Sequence, residues 1–210
     1  MKIIFDFDHT LFSSKKFYQA LQKAFGKFDI DKKLFQETYE NSKIKKRSYD
    51  SDKQIQLIVK VKPEIEKSDL KKQYEKILRK APQYLYSDTV WFLRKWEKKA
   101  NLVLLSYGEE KFQGDKIKDS RIEKYFQKNV KITGDIYKIK PFKKLFQKKE
   151  KLIFIEDNPT ALSKTKKNFP NVIAIRINRG EGKYREEPDI PKIDFSIKNL
   201  KELDKILNSL

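Results

Sequence analysis

The chain has 210 residues, with 49 Lys and Arg against 30 Asp and Glu, a net charge of +19, no Cys and one His. The lack of Cys excludes disulfides and thiolate metal sites, and a single His does not suit a His-based zinc site. At 38% hydrophobic and 38% charged residues the chain is globular but heavily solvated, long enough to bury roughly 70% of its surface, and no apolar run nears the ~20 residues that span a bilayer.

Residues 2–7 read as a buried strand, because Ile3, Ile4, Phe5 and Phe7 form a short apolar run rich in β-formers. Met1 leads straight into it, which leaves no room for a secretory signal, so a cytoplasmic location is expected. Asp6 and Asp8 stand at its end, and an extended backbone starts them on one side. Two carboxylates that close repel unless a cation or a shared proton lies between them.

From Ser13 to Tyr86 the apolar residues recur at helical spacing: Phe17, Leu21, Ala24 and Phe25; Leu34, Phe35, Thr38 and Tyr39; Ile55, Ile58 and Val59; Leu70, Tyr74, Ile77 and Leu78. Gly26 and Lys62-Pro63 interrupt them as helix boundaries. Residues 48–54 read as a loop or helix start. The aromatic stripe Phe17, Phe25, Phe35 and Tyr39 is a packing core rather than a base-stacking platform.

After Ser87 helices and strands alternate. Ser87-Asp88 caps a helix carrying Val90, Trp91, Leu93, Arg94 and Trp96. Leu102–Leu105 is a buried strand ending at Ser106-Tyr107-Gly108. A helix runs through Phe112 and Ile117, a short apolar turn spans Ile122–Phe126, and Val130–Ile132 is a peripheral strand. Pro141 opens a helix with Phe142, Leu145 and Phe146. Leu152–Ile155 is a buried strand ending at Glu156-Asp157-Asn158-Pro159, followed by a short helix (Ala161, Leu162, Thr165) and a strand from Val172 to Ile177. Residues 178–193 read as a long loop, and Ile197, Leu200, Leu203 and Leu207 as a closing helix. The alternation implies an α/β fold with a parallel sheet covered on both faces.

In such sheets the ligand sits outside the carboxyl ends of the strands. Three strands end there in polar residues: Asp6 and Asp8, Ser106, and Glu156 with Asp157. Convergent carboxylates with no His or Cys form a hard oxygen site, which selects Mg²⁺ over zinc or copper.

Asp6-Phe7-Asp8-His9-Thr10-Leu11 resembles the first motif of the haloacid dehalogenase superfamily, DxDGT[LV], with His9 where Gly is commonest. Leu104-Leu105-Ser106-Tyr107-Gly108 resembles its second motif and Phe154-Ile155-Glu156-Asp157-Asn158-Pro159 its fourth, the acidic metal motif. The third is one Lys before that strand, for which Lys138 and Lys140 are both placed. Lys140-Pro141 has the frequent Lys-Pro form, while Phe142 and Leu145 at +4 and +7 favour Lys138. The chain departs from the pattern at His9 and at Ala161, where a second acid is expected four residues after Asp157; Glu156 compensates.

The resemblance implies a Rossmann-like core at 1–12 and 87–210, with an all-helical C1-type cap inserted at 13–86. It implies Asp6 as nucleophile and Asp8 as general acid and then base. Asp6, the Asp8 carbonyl and Asp157 would hold Mg²⁺ with Glu156 in support, while Ser106 and the Lys bind phosphoryl oxygens. An acid at the Asp8 position is the pattern of the family's phosphatases and phosphomutases, not of its dehalogenases. The expected activity is therefore hydrolysis of a small phosphate monoester through an aspartyl-phosphate. The alternatives are a sugar phosphomutase, or a non-catalytic protein that binds nucleic acid through its +19 charge. Lys is spread over nearly every segment, which favours compositional bias over a nucleic-acid surface. Arg176 and Arg179, near a strand's carboxyl end, read either as contacts for a second anionic group or as exposed loop arginines. No partner chain or oligomeric state is implied.

Overall fold

The computed structural model describes residues 1–43, 49–145 and 150–210. Ser48 and Phe146, assigned above to a loop and to a helix, lie outside them. Six parallel strands form one sheet among the described residues: β1 (Lys2–Phe5), β2 (Asn101–Tyr107), β3 (Val130–Thr133), β4 (Leu152–Glu156), β5 (Ile173–Ile177) and β6 (Phe195–Ile197), in the order β3-β2-β1-β4-β5-β6. Ile3 pairs with Leu102 on one side and with Ile153 on the other. The central position of β1 explains why its whole run is buried, since both faces are covered by helices.

The period-2 alternation divides the core. Ile4 packs with Val103, Leu105, Phe154 and Ala174, under Phe142 and Leu145 of α7 (Ile139–Leu145) and Leu162 of α8 (Pro159–Asn168). Phe5 points the other way, edge-on to Phe92 of α5 (Thr89–Trp96) at 5.7 Å and to Phe126 at 6.3 Å. The closing helix α9 (Leu200–Ser209) presents Leu200, Leu203 and Leu207 to the interior. Its Asp204 accepts from Trp96 Nε1 and Lys95 Nζ of α5.

The chain divides into two compact units. The sheet unit comprises Met1–Ser14, Leu85–Tyr107 and Ile122–Leu210; the helical unit comprises Lys15–Tyr84 with Gly108–Arg121. The second holds α1 (Ser14–Phe25, apart from its first residue), α2 (Lys32–Ser42), α3 (Ser51–Val61), α4 (Lys67–Leu78) and α6 (Glu110–Asp119). Asp31 and Asp50 cap α2 and α3 by accepting from Leu34 N and Lys53 N. Phe17, Phe25 and Phe35 are buried, and Tyr39 stacks on Tyr49 at 4.6 Å, so the aromatic stripe is packing core. Phe112 of α6 joins it, 4.8 Å from Tyr49. By its contacts α6 thus belongs with the helices, although in chain order it follows β2.

The helix expected to carry Val90, Trp91, Leu93, Arg94 and Trp96 is α5, whose buried face is Thr89, Phe92, Leu93 and Trp96. Three local expectations are corrected. Ile197 ends β6 and the closing helix starts at Leu200; a three-residue strand shows no period, and Ile197 stands at helical spacing from Leu200 by coincidence. Asp88 makes no side-chain bond to its own helix; it accepts from Leu200 N at 2.8 Å, the first residue of α9. Finally, α7 begins at Ile139 rather than at Pro141. Among the described residues no helix is long and apolar enough to cross a membrane.

Candidate active site

The strand order reverses around β1, where an open parallel sheet leaves a crevice at its carboxyl edge. Asp6 follows β1 directly and is held to β4 by its N–H, which donates to Ile155 O at 2.9 Å. The backbone then turns: Leu11 N and Phe12 N both donate to Phe7 O, and His9 N donates to Phe12 O at 2.7 Å. This turn puts His9 at φ +59°. A left-handed conformation of that kind costs a side chain of order 1–2 kcal/mol, which accounts for the preference for Gly there. Asp8 is half-buried, and Ser14 Oγ donates to its Oδ1.

Glu156 ends β4 and Asp157 follows it. Asn158 caps α8, accepting from Thr160 N and Ala161 N, and Pro159 occupies the first turn, where its missing N–H costs nothing. The cap therefore stops the chain just after the two acids. Asp6, Glu156 and Asp157 bring carboxylate oxygens within 4.8 Å of one another. That hard oxygen donor set, with a surplus of negative charge, fits a divalent cation such as Mg²⁺.

Lys138 lies within this cluster, 2% exposed, its Nζ donating to both Asp6 Oδ1 and Glu156 Oε2. A turn closed by Asp135 delivers it: the Asp135 carboxylate accepts from Tyr137 N at 3.0 Å, and its carbonyl accepts from Lys138 N at 2.9 Å. Lys138 has φ +59°, and its carbonyl takes the first helical bond of α7, from Phe142 N. Lys140 is exposed and is not brought to the cluster. Ser106, near the end of β2, is fully buried, and its Oγ has no hydrogen-bond partner among the described residues. Such a hydroxyl costs about 1–3 kcal/mol to bury, a cost that a bound ligand oxygen would offset.

The electrostatics follow from burial and crowding. The Asp6 carboxyl is pushed up to about 7 by burial and by Glu156, against the lowering effect of the Lys138 ammonium. Asp157 is raised by burial, by Glu156 and by Asp6. Burial alone would lower Lys138, but the charges of Asp6 and Glu156 hold it above the ordinary lysine range.

Arg176 and Arg179 are not exposed, and both guanidinium groups bind partners within the chain. Arg176 is 3% exposed and donates to Asp189 and to Tyr184 O. Arg179 is clamped between Asp88, at 2.8 and 3.0 Å, and the carbonyl of Thr10, and its guanidinium lies 4.2 Å from the centre of the Tyr86 ring. It braces the turn that follows Asp8.

The 178–193 loop, read in sequence only as a loop, contributes more than its composition suggests. Burial, then Asp157 and Glu156, hold the Tyr184 hydroxyl up at about 12, which places Tyr184 in the field of the acids. Glu181 gathers Ser13, Tyr86 and His9. Burial raises its carboxyl, but the hydrogen bonds from Ser13 and Tyr86 and the nearby His9 outweigh that and hold it below the usual range. The one sequence signal for this contact is His9 itself, the departure from Gly.

A parallel sheet in 3-2-1-4-5-6 order with a carboxylate cluster at its carboxyl edge defines a Rossmann-like α/β protein with an acidic site. Within that class the chain belongs to the haloacid dehalogenase-like hydrolase family, whose model matches residues 3–175. No curated protein matches the sequence significantly. Among solved structures it is similar to a candidate haloacid dehalogenase-like hydrolase from Burkholderia xenovorans LB400, 18% identical over 96% of each chain with a TM-score of 0.76. It is similar to YfnB from Bacillus subtilis, a candidate HAD-hydrolase bound to magnesium, 16% identical over 99% of this chain and 98% of that one, TM-score 0.64. A third is a candidate β-phosphoglucomutase from Thermotoga maritima, 14% identical over 100% and 99%, TM-score 0.62. At such identities the likeness shows the fold alone.

Proposed function

We propose that the chain is a Mg²⁺-dependent phosphomonoester hydrolase that works through an aspartyl-phosphate on Asp6. The observation that carries this reading is the pairing of a buried nucleophile candidate, bound by Lys138 and flanked by Glu156 and Asp157, with a second acid, Asp8, two residues on. A dehalogenase on this fold expels halide, which needs no proton; an alkoxide leaving group does, and Asp8 can supply it.

The residues divide the work as follows. An Asp6 oxygen attacks phosphorus while Asp8 gives its proton to the departing oxygen. Asp8, now ionised, takes a proton from water, which attacks phosphorus and frees both Asp6 and inorganic phosphate. The Ser106 hydroxyl and the Lys138 ammonium hold phosphoryl oxygens, offsetting the charge that develops on them. Asp6, Asp157 and the Asp8 carbonyl would hold Mg²⁺, with Glu156 in support, and the ion would supply further charge neutralisation. Residues 13–86 are the proposed C1-type cap, and the substrate is a small phosphate ester.

The test is a panel of phosphate monoesters with purified protein and Mg²⁺, followed by release of inorganic phosphate. Excess chelator is expected to abolish activity and Mg²⁺ to restore it, with Ca²⁺ a poor substitute because it prefers looser, higher coordination. Full activity in chelator sinks the site assignment. Return of the phosphoryl group to a sugar, without net phosphate release, identifies a mutase instead.

A further inference from the structure

One carboxylate oxygen ties the loop after β5 to the segment that follows β1. Glu181 Oε1 accepts from Ser13 Oγ at 2.6 Å and from Tyr86 OH at 2.6 Å, and His9 Nδ1 lies 3.4 Å from it without a hydrogen bond. Hydrogen bonds to an ionised acceptor are roughly twice as strong as neutral ones. The next residue is fitted to the same place. Gly182 has φ +88°, and a Cβ there would stand 2.8 Å from His9 Cγ, so any side chain at 182 would both strain the backbone and displace the imidazole.

Asp8 is held from both ends of this segment. His9 follows it directly, and Ser14, the neighbour of Ser13, donates to its Oδ1. The adjacent serines therefore face two carboxylates, Ser13 that of Glu181 and Ser14 that of Asp8. We propose that Glu181 is the positioning residue for Asp8, anchoring Ser13 by a hydrogen bond while the loop it belongs to packs against the His9 ring, so that the Asp8 carboxyl meets first the leaving oxygen and then the attacking water in one orientation. The proposal rests on the reading of Asp8 as general acid and base. Displacement of a reacting group by about 1 Å can cost 10²-fold in rate, so such an anchor has kinetic consequences without touching substrate.

The experiment compares the parent, Glu181→Gln, Ser13→Ala and, as reference, Asp8→Asn. All are loaded with Mg²⁺ and assayed by rapid mixing with nitrophenyl phosphate and in steady state with an alkyl phosphate. Nitrophenolate leaves without a proton, so its release reports attack by Asp6, and the later steady phase reports Asp8 acting on water. Glu181→Gln is expected to copy Asp8→Asn in part. Its burst should keep a rate constant within about twofold of the parent's, while the steady phase and the alkyl phosphate kcat fall by at least ~10-fold with KM little changed. Ser13→Ala, which keeps the carboxylate and loses the bond from Ser13 to it, should show the same pattern at smaller size and carries the test if Glu181→Gln does not fold. A burst rate constant that falls as far as the steady rate means that Glu181 merely supports the fold and overturns the assignment, as does alkyl phosphate turnover at the parent rate. A parent inert on both esters overturns the phosphatase reading and this assignment with it, whereas an active parent with unselective variants overturns this assignment alone.

Discussion

Lys138 is a cation with almost no water around it, and two carboxylates take its place. On the proposed function an ammonium so held would be preorganised, because neither its orientation nor its charge would have to change for a phosphoryl group to bind. Lys138→Ala is therefore expected to lower kcat/KM on a phosphate ester by ~10²-fold or more. Lys140→Ala, exposed and outside the cluster, should stay within about threefold. Steady-state kinetics on the two variants checks this, and the reverse result would move the phosphate-binding role by two residues. The two lysines are nearly equivalent in sequence. They differ because Lys138 takes a left-handed backbone that ends the Asp135 turn and aims its chain inward, a conformation that its residue type does not advertise.

At the scale of elements, Asp88 joins three parts of the sheet unit. It precedes α5, accepts from the first N–H of α9 and pairs with Arg179 beyond β5, and Arg179 in turn holds the Thr10 carbonyl. Both side chains of the pair are buried, at 5% and 7% exposure. Removing one partner leaves a buried charge uncompensated, which costs about 3–5 kcal/mol. Asp88→Ala should destabilise by that amount in urea denaturation. Asp88→Leu with Arg179→Met should recover part of it, but not all, since Leu200 N and Thr10 O lose their partners. A loss below about 1 kcal/mol for Asp88→Ala would mean that water reaches Arg179 and solvates it.

Over the whole molecule, the chain carries a net charge of +19, whereas the acid cluster is itself negative. A positive field raises the local concentration of anionic substrates, and the acids, once neutralised by a cation, no longer repel them. The same charge would draw nucleic acid without specificity. Binding to a random duplex is expected to be no tighter than about 10⁻⁶ M at physiological salt and to weaken steeply as salt rises, each neutralised phosphate contributing about 0.9 to the log–log slope. Fluorescence anisotropy across a salt series measures it. Tight, saturable binding that persists in Asp6→Asn would favour a binding role for this chain over a catalytic one.

The sequence by itself determined the α/β class and the two strand ends, after β1 and β4, whose acids Asp6, Glu156 and Asp157 lie together. Buried parallel strands read as unbroken apolar runs, and the polar residue that halts each run marks the sheet's carboxyl edge. Helix periodicity likewise marked α1 to α4, because packing one face of a helix imposes a pattern within a few turns. Tertiary structure alone decided which lysine is buried among the acids, that Asp88 serves α9 and not its own helix, and that Arg179 is a brace. It also decided that Glu181 and Gly182, about 170 residues from His9 along the chain, are fitted to it. These are contacts between residues far apart in the chain, made through single side chains with no period. Their partners are chosen by the sheet's strand order, which no local pattern encodes.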